Sequence, residues 1–128
     1  GGTFTANPVS TTAGLETLKI LEDGKKIKEL NKTGEKIRKK LRTIFETHNV
    51  NVQVTGAGSL FNIHFTKDKV KDSPTASKAD KKRQLDYHQN LITNGIFFLP
   101  THTGALSTSH STKDIDKLFA KTEEYLTT

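Results

Sequence analysis

The 128-residue sequence contains no cysteine. Disulfide bonds and thiolate catalysis are therefore excluded, and a cytoplasmic protein is favoured because cytosolic proteins rarely depend on disulfides. No signal-peptide pattern is present, and no apolar run approaches the length of a membrane span. Hydrophobic residues make up only 32% of the chain and the mean hydropathy is −0.59, which predicts one modest core under a polar surface. Methionine is also absent, even from position 1, so we expect the sequence to begin inside a longer or processed protein.

Acidic residues are in the minority, with 14 Asp and Glu against 20 Lys and Arg and a net charge of +6. Only three of the basic residues are arginines, and the lysine clusters fall in predicted helices with acids close by. A solvated helix surface is the favoured interpretation. A freestanding basic interaction or RNA-binding module is the alternative, because positive charge attracts nucleic acid. No aromatic RNA-binding motif, zinc-ligand spacing or Gly-x-x-Gly loop supports it, so nucleic acid is not an expected partner.

The spacing of apolar residues predicts a small α+β domain. Helices are predicted over about 8–23, 25–48 and 78–94 and from Ser111 onward, and strands over 50–55, 59–66, 96–99 and 106–109. The order is ααββαββα, which predicts a small, mostly antiparallel sheet with helices on one face. Residues 67–77 are predicted to form a polar loop.

Three finer expectations follow from the same patterns. The continuous apolar run of residues 96–99 predicts a strand buried on both faces. Gly34 interrupts the second helix at a cost of about 1 kcal/mol relative to alanine, so we expect a neighbouring element to approach it closely. The third helix is predicted to turn its inner face toward the core with Leu85, His88, Leu91 and Ile92.

The first eight residues have an unusual composition for a chain terminus. The Gly1-Gly2-Thr3 run offers backbone N–H groups and a hydroxyl, which suit an anion such as phosphate. Asn7-Pro8 predicts a helix start, with Asn7 as the N-cap and Pro8 in the first turn.

No complete catalytic constellation follows from the sequence, and no metal site is expected. His64 has no second ligand at a suitable spacing, so a surface or interface histidine is predicted. His102 and His110 flank one predicted strand and could share a site, although structural hydrogen bonding is favoured for both.

Three blocks of the sequence resemble the class III aminotransferases, which are pyridoxal-phosphate enzymes of fold type I. Residues 2–8 and 13–18 resemble the family's G-T-F-x-x-N-P…A-A-x-A-x-L segment. Residues 94–100 and 106–116 resemble the ending of glutamate-1-semialdehyde 2,1-aminomutase and its relatives, and residues 56–61 resemble the family's G-S-x-F strand. The three blocks occur in the family's order and span nearly the whole chain.

The resemblance implies that residues 25–128 are the C-terminal small domain and that residues 1–24 link it to a missing N-terminal large domain. That large domain would carry the Schiff-base lysine, so the chain itself would hold no catalytic residue and would be inactive alone. The resemblance further implies a homodimer in which Gly2 and Thr3 contact the phosphate of the neighbouring subunit's pyridoxal phosphate.

The resemblance also implies a small, amino-acid-like substrate. One loop departs from the aminomutase pattern. Aminomutases carry Phe-Glu-Ala-Gly-Phe after the proline that matches Pro100, whereas this chain has a shorter loop with no acid. The loop resembles a related branch in which His102 takes that place on the substrate side.

Overall fold

A computed structural model of the chain describes residue 2 and residues 5–127. The helices are α1 (Pro8–Leu21), α2 (Lys25–Thr47), α3 (Ser73–Ser77), α4 (Lys81–Thr93) and α5 (Thr112–Thr127). The strands are β1 (Gln53–Thr55), β2 (Leu60–His64) and β3 (Gly104–Ala105). The predicted α+β class is confirmed, but the order along the described residues is ααββααβα.

The three strands form one antiparallel sheet in the order β1-β2-β3. Val54 of β1 pairs with Ile63 of β2, and Phe61 of β2 pairs with Gly104 of β3. The buried side chains of this face join α2, α4 and α5 in a single hydrophobic core. The predicted small antiparallel sheet is confirmed, and α2, α4 and α5 pack on one of its faces.

Helix α2 is the central helix of the fold, and its buried side chains recur at helical spacing. Its arginines bind the strands, since the Arg38 guanidinium donates to the carbonyl oxygens of Gly58 and Leu60 at 2.7 Å each. Arg42 donates to the carbonyl oxygen of Val54 at 2.6 Å. A Cβ atom at Gly34 would overlap the Gly58 carbonyl oxygen, so the predicted close approach at this glycine is confirmed.

The inner face of α4 is only half as predicted. His88 and Leu91 are buried, but Leu85 and Ile92 are exposed, and Gln84 and Tyr87 are buried in their place. The two polar residues can be buried because each has a hydrogen-bond partner. Gln84 Nε2 donates to the Ile63 carbonyl at 2.8 Å, and the Tyr87 hydroxyl lies 2.8 Å from the Thr122 hydroxyl of α5.

Residues 96–99 form no strand, which corrects the prediction of a strand buried on both faces. Phe98 is buried at 6% exposure, whereas Phe97 is 81% and Leu99 is 49% exposed. The apolar run therefore covers the core with one side only.

The strand predicted over 106–109 is also absent, because the partner of β2 is the preceding Gly104–Ala105 pair. A Cβ at Gly104 would overlap the Phe98 and Phe61 rings. β3 can therefore pair with β2 at this position because residue 104 is a glycine.

His64 was predicted as a surface or interface histidine, and its burial at 5% exposure rules out the surface position. Its Nε2 lies 3.0 Å from the Thr55 hydroxyl on the paired strand. The segment predicted as a polar loop contains α3, whose first turn is capped by Asp72 with a reciprocal bond to Thr75. This segment and His64 line the same open cleft, so the loop partly covers the sheet face where His64 lies.

Candidate functional site

The N-terminal segment forms a tight turn before α1. The Thr5 N–H donates to the Gly2 carbonyl at 2.9 Å, and the Gly2 N–H donates to the Thr5 hydroxyl oxygen at 2.8 Å. Asn7 then caps α1 by accepting the N–H groups of Val9 and Ser10, and Pro8 is the first helical residue. The predicted helix start is confirmed. Thr3, which the sequence predicts as a phosphate contact, lies outside the described residues.

Gly2 and Thr5 are both exposed. The Thr5 hydroxyl accepts one hydrogen bond within the turn and keeps its own hydrogen for another acceptor. The Gly2 N–H is already bonded inside the turn, so it would have to exchange the Thr5 oxygen for an anion. The turn has donors of the kind that bind phosphate, and its position at the N-terminus of a helix adds a favourable dipole.

The second predicted element is the exposed loop that follows residues 96–99. Thr101 has a positive φ of 63°, in the left-handed region that few non-glycine residues adopt. The His102 N–H donates to the Leu99 carbonyl at 3.1 Å, and His102 Nδ1 lies 2.8 Å from the Pro100 carbonyl oxygen. A carbonyl oxygen only accepts, so Nδ1 carries a proton, and in the neutral ring Nε2 then keeps its lone pair. The exposed His102 ring is thus available as an acceptor or base at Nε2.

A cavity of about 520 Å³ lies beside this loop, between residues 95–99, residues 103–106 and the start of α5. His110 and Asp114 are among its lining residues, but both are held in local structure. His110 Nδ1 accepts the Ser107 N–H at 3.0 Å, and the Asp114 carboxylate accepts the N–H and hydroxyl of Ser111 at 2.8 and 2.7 Å. These bonds from Ser111 lower the pKa of Asp114. Ser107 Oγ also lies 3.1 Å from His110 Nδ1, within the same local turn.

The described contacts do not join the predicted site residues into one centre. The hydrogen bonds of Gly2 stay in its own turn. Those of His102 stay in its own loop, and His102 and His110 share no hydrogen bond within residues 5–127. Over the same residues, no group of three or more histidine and acidic side chains could hold a metal ion. Among the described residues, Gly2 and His102 thus lie in separate exposed segments.

The role of His88 was not predictable from the sequence. His88 lies on the inner face of α4 as predicted, and in addition its Nδ1 atom accepts the N–H of Thr101 at 3.0 Å. The contact spans 13 positions in the chain, and no local pattern marks it.

Comparison with known proteins decides the family. The family model for "Aminotransferase class-III" matches residues 1–122. The chain belongs to this family. The resemblance drawn from the three sequence blocks is confirmed.

Curated relatives agree with the family assignment. Glutamate-1-semialdehyde 2,1-aminomutase of Methanosphaera stadtmanae is 38% identical over 98% of this chain, and that of Methanothermobacter thermautotrophicus is 35% identical over 98%. The chain spans about 30% of the length of these relatives.

A solved structure supports the same fold. The omega-transaminase from Sphaerobacter thermophilus superposes with a TM-score of 0.78 at 28% identity, over 99% of this chain and 29% of that chain.

The described part of the chain contains no helix that is both long and apolar enough to cross a membrane.

Proposed function

We propose that this chain is the C-terminal part of a cytoplasmic, pyridoxal-phosphate-dependent aminotransferase or aminomutase. The main support is the match of the family model to residues 1–122. The chain also spans only about 30% of the length of its curated relatives. The complete enzyme would move an amino group on a small, amino-acid-like substrate. Residues 25–128 form its C-terminal domain and residues 1–24 its link to the N-terminal large domain. The chain alone is inactive, because the lysine that forms the Schiff base belongs to that large domain.

An exposed apolar surface supports a missing large domain as the partner. Helix α1 has 14 residues and none is buried, and Val9, Leu15, Leu18 and Ile20 are each more than half exposed. A helix of this length is marginal in water unless a neighbour covers its apolar side. These side chains lie on more than one side of α1, and a helix that is apolar all round is one that neighbouring structure buries. The N-terminal remainder of the same polypeptide covers α1 in this proposal.

The cofactor phosphate is the ligand proposed for the N-terminal turn. Gly2 and Thr3 contact the phosphate of the pyridoxal phosphate held by the other subunit of a homodimer. When bound, this cofactor supplies the electron sink for bond breaking at the amino-bearing carbon. The part of this chain is to orient the phosphate with N–H and hydroxyl donors, which form strong bonds to a dianion. His102, with the lone pair of Nε2 available, lies in the loop proposed to border the substrate.

The decisive experiment replaces Thr3 by valine in the complete, dimeric enzyme. Loss of a hydrogen bond to a charged group costs about 1.5–3 kcal/mol, so cofactor affinity should fall roughly 10- to 150-fold. Thr17→Val is the matched control, because the Thr17 hydroxyl only bonds the Ala13 carbonyl within α1. An unchanged affinity in Thr3→Val would remove Thr3 from the site. The 128-residue chain should show no stoichiometric change in cofactor absorbance on titration, and a saturable change would overturn its assignment as inactive.

A further inference from the structure

His88 occupies an unusual place for a polar ring. It is fully buried, at 0% exposure, and its ring packs on Phe98 with the centroids 4.5 Å apart. Nε2 is buried without a hydrogen-bond partner among the described residues. An unpaired buried polar atom costs about 1–3 kcal/mol, which an apolar ring at this position would avoid. This cost is offset only if Nδ1 makes a contact that an apolar ring could not make.

The Nδ1 atom of His88 accepts the backbone N–H of Thr101 at 3.0 Å. An N–H donor at Nδ1 requires a lone pair there, so the proton of the neutral ring sits on Nε2. The ring can hold this contact only while it is neutral. Burial favours that state, because it lowers the pKa of His88 from its ordinary value of 6.5 to about 4.

The Thr101 N–H and the Pro100 carbonyl belong to one planar peptide group. His88 holds the N–H of this group from inside the core, and the Nδ1–H of His102 donates to its carbonyl oxygen at 2.8 Å from outside. The two histidines are thus joined through a single peptide, which stiffens as hydrogen bonds at its two ends polarise each other. Thr101 has a φ of 63°, so the peptide is held in a conformation that costs free energy in a non-glycine residue.

We propose that His88 is a positioning residue which, through the Pro100–Thr101 peptide, sets the ring orientation and the tautomer of His102. An acceptor buried in α4 fixes the direction of the peptide, and the peptide carbonyl then selects the His102 ring with its proton on Nδ1 and its lone pair on Nε2. Any consequence for turnover rests on the proposed function, which puts His102 beside the substrate. The control over the tautomer itself does not depend on that function.

The test is the tautomeric state of each histidine in the 128-residue chain, read from long-range ¹H–¹⁵N NMR couplings. The chain encloses its own core, so this measurement needs no cofactor. We expect the Nε2–H form for His88 and the Nδ1–H form for His102. His110 is an internal control, because its Nδ1 accepts from Ser107 and its tautomer should not respond to changes at His88.

Two substitutions separate the acceptor from the packing. His88→Phe keeps a ring but loses the acceptor, so His102 should lose its preference for Nδ1–H, and the Thr101 amide should exchange with solvent at least tenfold faster. His88→Asn puts an amide oxygen near the place of Nδ1 and should restore both properties in part. If His102 and Thr101 behave in His88→Phe as in the wild type, the inference is wrong. If His88→Phe does not fold, the wild-type spectrum still decides, because a proton on Nδ1 of His88 or on Nε2 of His102 overturns it.

Kinetics of the complete enzyme distinguish this inference from the proposed function. A misplaced His102 should lower kcat by roughly 10- to 100-fold in His88→Phe, with partial recovery in His88→Asn. If the tautomer responds and turnover does not, His88 keeps its positioning role and His102 is removed from the substrate site.

Discussion

Replacing Gly34 by alanine tests how tightly α2 is fitted to the sheet. The new Cβ would overlap the Gly58 carbonyl oxygen and lie 2.9 Å from Ser59 Cα. Both atoms belong to the backbone of the turn between β1 and β2, so no side-chain rotation can relieve the contact. Either the turn or the helix must shift.

The free-energy terms oppose each other, and the structure decides which is larger. Alanine in place of glycine favours a helix by about 1 kcal/mol. Overpacking costs about 1–3 kcal/mol. A shifted turn also weakens the bonds from Arg38 to the carbonyls of Gly58 and Leu60, and one lost bond to a charged group costs about 1.5–3 kcal/mol. We expect the free energy of unfolding to fall by about 2–4 kcal/mol.

Urea unfolding followed by circular dichroism measures this change, provided that wild type and variant have the same m-value. Gly14→Ala is the matched control, because a Cβ at this helical glycine meets nothing within 4 Å. The control should be unchanged or more stable by up to about 1 kcal/mol. If Gly34→Ala is as stable as the wild type, the close approach of α2 to the turn is not a constraint on folding.

Two further predictions concern buried polar groups. Because the pKa of His88 falls to about 4 on folding, the unfolded chain binds more protons than the folded chain between pH 4 and 6.5, and acidification through this window should lower the free energy of unfolding by up to about 3 kcal/mol. Chemical unfolding at several pH values measures the slope, and a slope equal to that of His88→Phe would refute the assignment. Thr122→Val should destabilise the protein more than Tyr87→Phe, since Thr122 keeps its bond to the Leu118 carbonyl in the second variant whereas the Tyr87 hydroxyl is left buried and unpaired in the first. Thermal unfolding of the two variants gives the order, and the reverse order would contradict it.

Periodicity predicts the elements that are fixed by local sequence. Helix α2 begins at Lys25 as predicted, and its end differs by one residue, because the apolar spacing continues over its whole length. The β1–β2 pair was predictable from alternation, and the start of α1 from Asn7 and Pro8. Close contact at Gly34 was predictable because a mid-helix glycine needs a reason.

The candidate site was less accessible from the sequence. Gly2 and Thr3 were named from a resemblance, and their role as phosphate contacts stays a prediction. The inner face of α4 was misplaced because burial of Gln84 and Tyr87 depends on partners from β2 and α5, which no pattern within α4 shows. The contact from His88 to Thr101 was missed for the same reason, because it depends on the three-dimensional position of an irregular loop.

The misassigned strand at residues 96–99 and the uncovered helix α1 have one physical explanation. An apolar run predicts burial on both sides, yet only one side of this segment faces the core, and Phe97 is left 81% exposed. Helix α1 likewise carries apolar side chains that nothing in the described chain covers. Both segments have an apolar content typical of fully buried elements, but the described residues bury only part of their apolar side chains. Under the proposed function the N-terminal part covers both surfaces, so a Phe97→Ser substitution should destabilise the complete enzyme more than the isolated chain, and equal losses of stability would contradict this.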